Sequence, residues 1–342
     1  PVKPTDMDSD DNLLYTVELF AGSGTCVRQM KMKYPDRARG LLVDKKPAGE
    51  IGLEDLLVDN TTIFVKFDIE DLTYDKFDAW CRFYLGIPVS RLDRLHISVD
   101  CKDFSGASKC AGDPQRDTEG NALRQEAQRT NIMIENLKMI QSEIRKVNSR
   151  ILITWENPAK GGFLKCIPIQ TMTTDIKWVV RKGDHCANAD EELDGPVHGP
   201  PDQREGNLFC EKASDWCILG VTTRFRLNQC ARDGCRMKVP GTNHHVLAVM
   251  RPQGPRPFGQ RLATQIEKSK IPLGVHDKIW EAHLEWLETD DGHAYHCAKC
   301  MGTGILLRCD TPGCTLVMHE VCASKIPSAK GKWFCDHCEM VK

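Results

Sequence analysis

Short apolar runs, each closed by an acid or a glycine turn, recur along the first half of the chain and predict a buried sheet. Leu13–Phe20 ends at Ala21-Gly22-Ser23-Gly24, Leu41–Val43 at Asp44, and Ile63–Phe67 at Asp68. Leu95–Val99 ends at Asp100 and Ile151–Trp155 at Glu156. Such runs suit strands covered on both faces of a parallel sheet. Between the last two, residues 121–147 carry Leu123, Ala127, Ile134, Leu137, Ile144 and Val147 at a helical period. Strands alternating with helices predict a doubly wound α/β domain.

Farther along, the pattern loosens. Residues 182–206 are polar and rich in Pro and Gly, as expected of an inserted surface loop. Strand-like pieces return at Trp216–Leu219, Thr223–Leu227 and Val246–Met250, and Ile279–Leu287 reads as a short linking helix. The division that follows is a polar lead-in over 1–12, an α/β domain over 13–275, a linker over 276–292 and a Cys-rich unit over 293–340.

That last unit has the most specific spacing in the chain: Cys297-x2-Cys300-x8-Cys309-x4-Cys314-x4-His319-x2-Cys322-x12-Cys335-x2-Cys338. Paired soft ligands two to four residues apart close short loops onto one tetrahedral ion, so four pairs make two zinc sites. The order of four Cys, one His and three Cys resembles the PHD finger, and Trp333 falls where such fingers carry a packing Trp. The resemblance implies a cross-braced pair of Zn2+ ions and binding of a histone H3 tail or another chromatin protein by strand addition. Tyr295 could form one wall of an aromatic cage, but Val317 stands where cage-bearing fingers place Trp. An unmodified tail is therefore the better expectation. A finger that only supports its neighbour is also open, as is a role for Lys325, Lys330 and Lys332 as a solvated face or a nucleic-acid contact.

Charge and composition narrow the classes. The 342 residues carry a net charge of −2, so no global basic signature points to nucleic acid, and any such contact needs a local patch. Seventeen cysteines with no disulfide-like framework fit a reducing compartment. No apolar run approaches the roughly 20 residues of a membrane span. A chain opening on Pro1 reads as cut from something longer.

The turn after the first strand places Phe20, Gly22 and Gly24 where a ligand can approach the backbone, with Asp44 suited to ribose hydroxyls. Phe20-Ala21-Gly22-Ser23-Gly24 resembles motif I of the S-adenosylmethionine-dependent methyltransferases, specifically the cytosine-C5 DNA methyltransferases, and the resemblance implies that Asp68, after the third strand, sits near the adenine. A plain tight turn with two solvated acids is the alternative. Ser98-Val99-Asp100-Cys101-Lys102-Asp103-Phe104-Ser105 resembles the family's nucleophile motif, with Cys101 at the nucleophile. Trp155-Glu156-Asn157-Pro158 resembles its Glu-Asn-Val motif, and Thr222-Thr223-Arg224-Phe225-Arg226 its Arg-x-Arg strand. The pattern over 215–225 looks closest to divergent viral and algal members.

The resemblance implies that Cys101 adds to the cytosine ring, that Glu156 grips its edge, and that Arg224 or Arg226 stabilises developing charge, with S-adenosylmethionine as donor and DNA as substrate in the nucleus. Asp100 replaces the family's Pro, which leaves open either a rebuilt catalytic loop or a retained fold that does not methylate. Buried thiol for Cys101, solvated acid for Glu156 and exposed basic stripe for the two arginines stay open beside these roles. Cys230, Cys235, His244 and His245, with Cys210 or Cys217, form a candidate third metal site of irregular spacing.

Overall fold

The computed structural model describes residues 13–100, 103–104, 114–159, 162–194, 213–229 and 271–288, together with 306–309, 311, 317–319, 322–323 and 333–335. Seven strands form one sheet: β1 (Leu14–Leu19), β2 (Ala38–Asp44), β3 (Thr62–Lys66), β4 (Arg94–Ile97), β5 (Leu152–Pro158), β6 (Val179–Asp184) and β7 (Ala213–Leu219). Their order is β3-β2-β1-β4-β5-β7-β6. The first five are mutually parallel, while β7 runs antiparallel to both of its neighbours. The helices used below are α1 (Thr25–Lys33), α2 (Tyr74–Trp80), α3 (Gln125–Val147), α4 (Ile167–Thr173), the single turn α5 (His185–Asn188) and α6 (Leu273–Glu288). Among the described residues no helix is long and apolar enough to cross a membrane.

Alternation along the strands divides the interior into two layers. Val17, Leu19, Val43, Ile97, Ile153 and Trp155 face one side and meet Phe77 of α2 and Ile134, Leu137 and Ile144 of α3. On the other side, Leu152, Trp216 and Ile218 pack with Met30 of α1 and Val275, Ile279 and Trp280 of α6. All five expected parallel strands are present. The long helix begins at Gln125, and Leu123 and Val147 are exposed at or beyond its ends, so only the middle of the expected stripe reaches the core.

Three expectations need correction. The helix expected as a linker runs from Leu273 to Glu288 and buries Val275, His276, Ile279, Trp280, His283 and Trp286. It belongs to the α/β core, so a boundary at 275 cuts through an integral element. Lys33 of α1 binds Asp277 (2.7 Å) and Glu281 (2.8 Å) of this helix, fixing the two side by side. The inserted loop expected over 182–206 does not start at 182, because Lys182, Gly183 and Asp184 complete β6. β6 escapes apolar reading because it is a charged edge strand, a common device against edge pairing. Finally, Thr223–Leu227 is not a strand but irregular chain along the outer flank of β6. The expected strand Val246–Met250 lies outside the described residues, as does the lead-in over 1–12.

Near the C-terminus, β8 (Leu306–Arg308) and β9 (Val317–His319) pair antiparallel. Beside them Trp333, Cys309 and Cys335 are buried together with Leu307, Met318 and Ala323.

Candidate functional site

Strand register places the candidate residues. Val43, Leu19, Ile97 and Trp155 lie in one row across β2, β1, β4 and β5. One residue farther toward the strands' C-terminal ends come Asp44, Ser98 and Glu156 on the face that carries α1, whereas Phe20, with its left-handed backbone, packs against the opposite layer. Three strand spacings, about 14 Å, separate the two outer acids. β1 is flanked by β2 on one side and β4 on the other, so successive connections leave in opposite directions. A crevice opens at such a switch point beyond the carboxyl ends of the strands.

On the β1 side of this crevice the backbone makes three left-handed excursions, at Phe20 (φ 56°), Gly22 (φ 50°) and Gly24 (φ 65°). A Cβ on Gly24 would lie 2.8 Å from methyl groups of Leu53 and Leu56, so glycine is required there on two counts. A Cβ on Gly22 would meet nothing nearer than Phe20 O at 3.8 Å, so that side of the turn is open to a ligand. Gly22 N–H donates to Asp44 Oδ2 at 3.2 Å and Lys46 N–H to Asp44 Oδ1 at 2.9 Å, which brings the acid of β2 onto the glycine turn. Glu18, one turn below, accepts from Val27 N–H (3.1 Å) at the start of α1. Burial pushes its carboxyl up to about 8, against the pull of that N–H and of Arg94. Asp68 is exposed and accepts from Glu70 N–H (3.3 Å), where it caps a short turn after β3.

On the β4–β5 side, two hydrogen bonds join the two sequence motifs. Ser98 Oγ donates to Glu156 Oε2 at 2.8 Å, and Asn157 Nδ2 donates to Val99 O at 2.8 Å. Glu156 is only 4% exposed, which removes the solvated-acid reading. Its other oxygen accepts from Ser214 Oγ of β7, and Ser214 Oγ lies 2.8 Å from His185 Nε2. Asp100 follows at the exposed end of β4. Cys101, next in the chain, lies outside the described residues. Downstream, Asp103 accepts from Thr130 of α3, and Phe104 packs edge-on to Phe163 with Arg116 4.5 Å above its ring.

Arg224 and Arg226 are not brought to Glu156. β7 leaves the sheet where Leu219 pairs with Ile153, the edge opposite Glu156, and the chain then climbs the outside of β6. There Arg181 Nε donates to Phe225 O (2.6 Å) and Asp184 N–H to Asn228 O (3.2 Å). Both arginines are exposed, and Arg226 donates to Thr223 O and Phe225 O at 2.8 Å each. β6 and β7 stand between them and β5, so the exposed basic stripe is the reading that fits.

Sequence reading missed Ser98, Ser214 and His185 as partners of Glu156. A signal existed in Arg94-Leu95-His96-Ile97-Ser98, where polar residues alternate within a strand buried on both faces. Arg94 and His96 are fully buried, and one end of Arg94 binds His276 of α6.

Of the eight expected zinc ligands, Cys309, His319, Cys322 and Cys335 fall among the described residues, whereas Cys297, Cys300, Cys314 and Cys338 lie outside them. Cys335 N–H donates to Cys309 Sγ at 3.4 Å. That contact joins the second and fourth of the expected ligand pairs. No group of three or more ligand side chains gathers among the described residues. Cys217, one candidate for a third metal site, is buried in β7 within the apolar core; Cys210, Cys230, Cys235, His244 and His245 lie outside the described residues.

No family model and no curated protein matches the sequence. Among solved structures, a Spodoptera frugiperda DNMT2 variant is 12% identical with a TM-score of 0.36, over 64% of this chain and 56% of that one. An antibiotic-related methyltransferase is 8% identical with a TM-score of 0.32, over 63% of this chain and 96% of the other. LepI in complex with SAM is 10% identical with a TM-score of 0.30, over 63% and 44% respectively. The chain thus spans little more than half of the first and less than half of the third. Its sheet order, with β7 reversed, places the α/β unit among Rossmann-like folds.

Proposed function

We propose that this chain is an S-adenosylmethionine-dependent methyltransferase acting on cytosine in DNA, joined to a zinc-binding PHD-type finger that reads a chromatin protein in the nucleus. The observation that carries the reading is the pair of bonds Ser98–Glu156 and Asn157–Val99. They knit the resembled nucleophile and Glu-Asn motifs into one strand-end site, across the switch point from the glycine turn and Asp44. The residues on the β1 side fit the donor: Gly22 leaves backbone open, and Asp44 presents a carboxylate suited to ribose hydroxyls. When bound, S-adenosylmethionine supplies an electrophilic methyl group.

The chain's own residues have separate tasks. Cys101 offers the thiolate that adds at C6 of cytosine and raises electron density at C5. Glu156, held on both oxygens, meets the ring edge as a carboxylic acid and gives its proton to N3, which offsets the negative charge that thiolate addition builds there. The target base leaves the duplex to reach the crevice, at a cost of a few kcal/mol. Burial of Glu156 under β7 strengthens its interactions by excluding water.

A second reading is favoured by Asp100. A carboxylate beside Cys101 disfavours the thiolate, and Asp does not fix the backbone as Pro does. In this reading the domain binds the donor or DNA without transfer. Incubation with labelled donor and cytosine-containing DNA separates the two. Label on DNA that disappears in Cys101→Ala establishes the enzyme; donor binding without transfer in the wild type establishes the second reading.

A further inference from the structure

Glu156 sits in a chain of side chains that the reaction scheme does not use. Ser98 Oγ donates to Oε2 at 2.8 Å, Ser214 Oγ donates to Oε1, and His185 Nε2 lies 2.8 Å from Ser214 Oγ. Glu156, Ser214 and His185 are 4%, 1% and 3% exposed, so little water competes for these atoms. A serine hydroxyl has one hydrogen and two lone pairs. With that hydrogen given to Glu156 Oε1, the Ser214 oxygen accepts from His185, which assigns the imidazole proton to Nε2.

The topology explains why the three meet. β7 enters the sheet antiparallel between β5 and β6, which sets Ser214 opposite Pro158 and Gly183 on the face that carries Glu156. α5 begins directly after β6, so His185 caps the same strand ends. The reversed strand thus delivers a hydroxyl to the second oxygen of the carboxyl group, and the turn after β6 delivers the donor that orients the hydroxyl.

We propose that Ser214 and His185 are positioning residues: together with Ser98 they clamp both oxygens of Glu156 and fix the plane of the carboxylate that meets the substrate. The proposal rests on the reading of Glu156 as the group that grips the base. Its value is preorganisation, since a carboxylate free to rotate must be aligned anew in each turnover, and misplacement by about 1 Å costs on the order of 100-fold in rate. His185 acts at one remove, by leaving Ser214 only one direction in which to donate.

Two measurements on the full chain test it. The first needs no activity: two-bond 1H–15N spectra of histidine-labelled protein, with His185 assigned by His185→Gln. The proton is expected on Nε2 in the wild type and is expected to move toward Nδ1 in Glu156→Ala, where Ser214 is released to donate to the ring. A proton on Nδ1 in the wild type, or a tautomer indifferent to Glu156→Ala, overturns the proposal. The second uses labelled-donor transfer to cytosine DNA. Ser214→Ala and His185→Leu are expected to lower kcat by about 10- to 100-fold with donor affinity and melting temperature held. Ser214→Thr and His185→Gln, which keep the hydroxyl and an Nε2 donor, are expected to stay within about threefold. Equal kcat in the alanine and threonine variants overturns the positioning role. If the wild type transfers no label at all, the methyltransferase reading fails, and the tautomer measurement still decides whether the clamp exists.

Discussion

Arg94 Nη2 donates to His276 Nδ1 at 3.0 Å, although 182 positions separate them in the chain. Because a guanidinium only donates, the ring accepts at Nδ1 and carries its proton on Nε2, 3.2 Å from Thr25 Oγ1 beside the glycine turn. Burial together with Arg94, His96 and His185 holds the His276 ring well below the ordinary histidine range, so it stays neutral. This pair keys α6 into the sheet beneath the crevice. Replacing His276 by Leu strips one partner from a fully buried guanidinium and leaves it Gln29, and a hydrogen bond to a charged group is worth about 1.5–3 kcal/mol. Urea unfolding should therefore show a loss of about 2 kcal/mol; a loss below about 0.5 kcal/mol would mean that Arg94 is satisfied without α6.

Glu18 gives a pH signature. Its carboxyl, raised by burial to about 8, keeps its proton in the folded chain over a range in which the unfolded chain, near 4.5, has released it. Stability then falls as pH rises from about 5 to 8, by about 1.4 kcal/mol per pH unit for one full proton. His283 acts in the other direction at lower pH, since burial holds it near 4 and the unfolded ring takes up a proton first. Glu18→Gln keeps an oxygen for Val27 N–H and removes only the Glu18 contribution. The stability difference between variant and wild type should grow steadily from pH 5 to pH 8; a constant difference would place the folded carboxyl near its ordinary range.

Variants at Asp44 and Gly24 separate the proposed donor site from folding. Asp44→Ala removes a carboxylate that is only partly buried but holds Gly22 N–H, so donor affinity by calorimetry should fall about tenfold or more while the melting temperature changes little. Gly24→Ala should do both, because φ 65° is strained for alanine and its Cβ would press on Leu53 and Leu56 at 2.8 Å. A loss of about 1–3 kcal/mol is expected. Donor affinity unchanged in Asp44→Ala would remove the carboxylate from the donor site.

The parallel strands were legible because each is an apolar run closed by a turn residue, and burial on both faces erases any confusing alternation. The same logic hid β4's role. Arg94, His96 and Ser98 alternate with apolar residues, yet all three support a polar layer under α1 and α6 rather than a wet face. Glu156 and Asp44 were legible as strand-end acids; Ser214 was not, since only antiparallel insertion of β7 sets it beside Glu156. Arg224 and Arg226 misled for a related reason. A strand period was assigned to chain that bends around β6, and their exposure follows from that path. α6 looked like a linker because its buried histidines and tryptophans read as a polar mixture until packed against α1.

The finger supplies the last test. In the proposed cross-brace, Cys309 and Cys335 would share one ion and the first and third ligand pairs would hold the other. Trp333, 5% exposed, packs beside both sulfurs, so loss of this ion should also open the small core around it. Full-length protein purified with zinc should contain about two ions per chain by elemental analysis. Cys309→Ser should lower this to about one, with a red shift of Trp emission, and Cys335→Ser should do the same. Cys297→Ser should also remove about one ion but leave Trp333 buried. If either Cys309→Ser or Cys335→Ser retains both ions, those two sulfurs do not share a metal and the cross-brace is lost; if the wild type holds none, the unit folds without zinc.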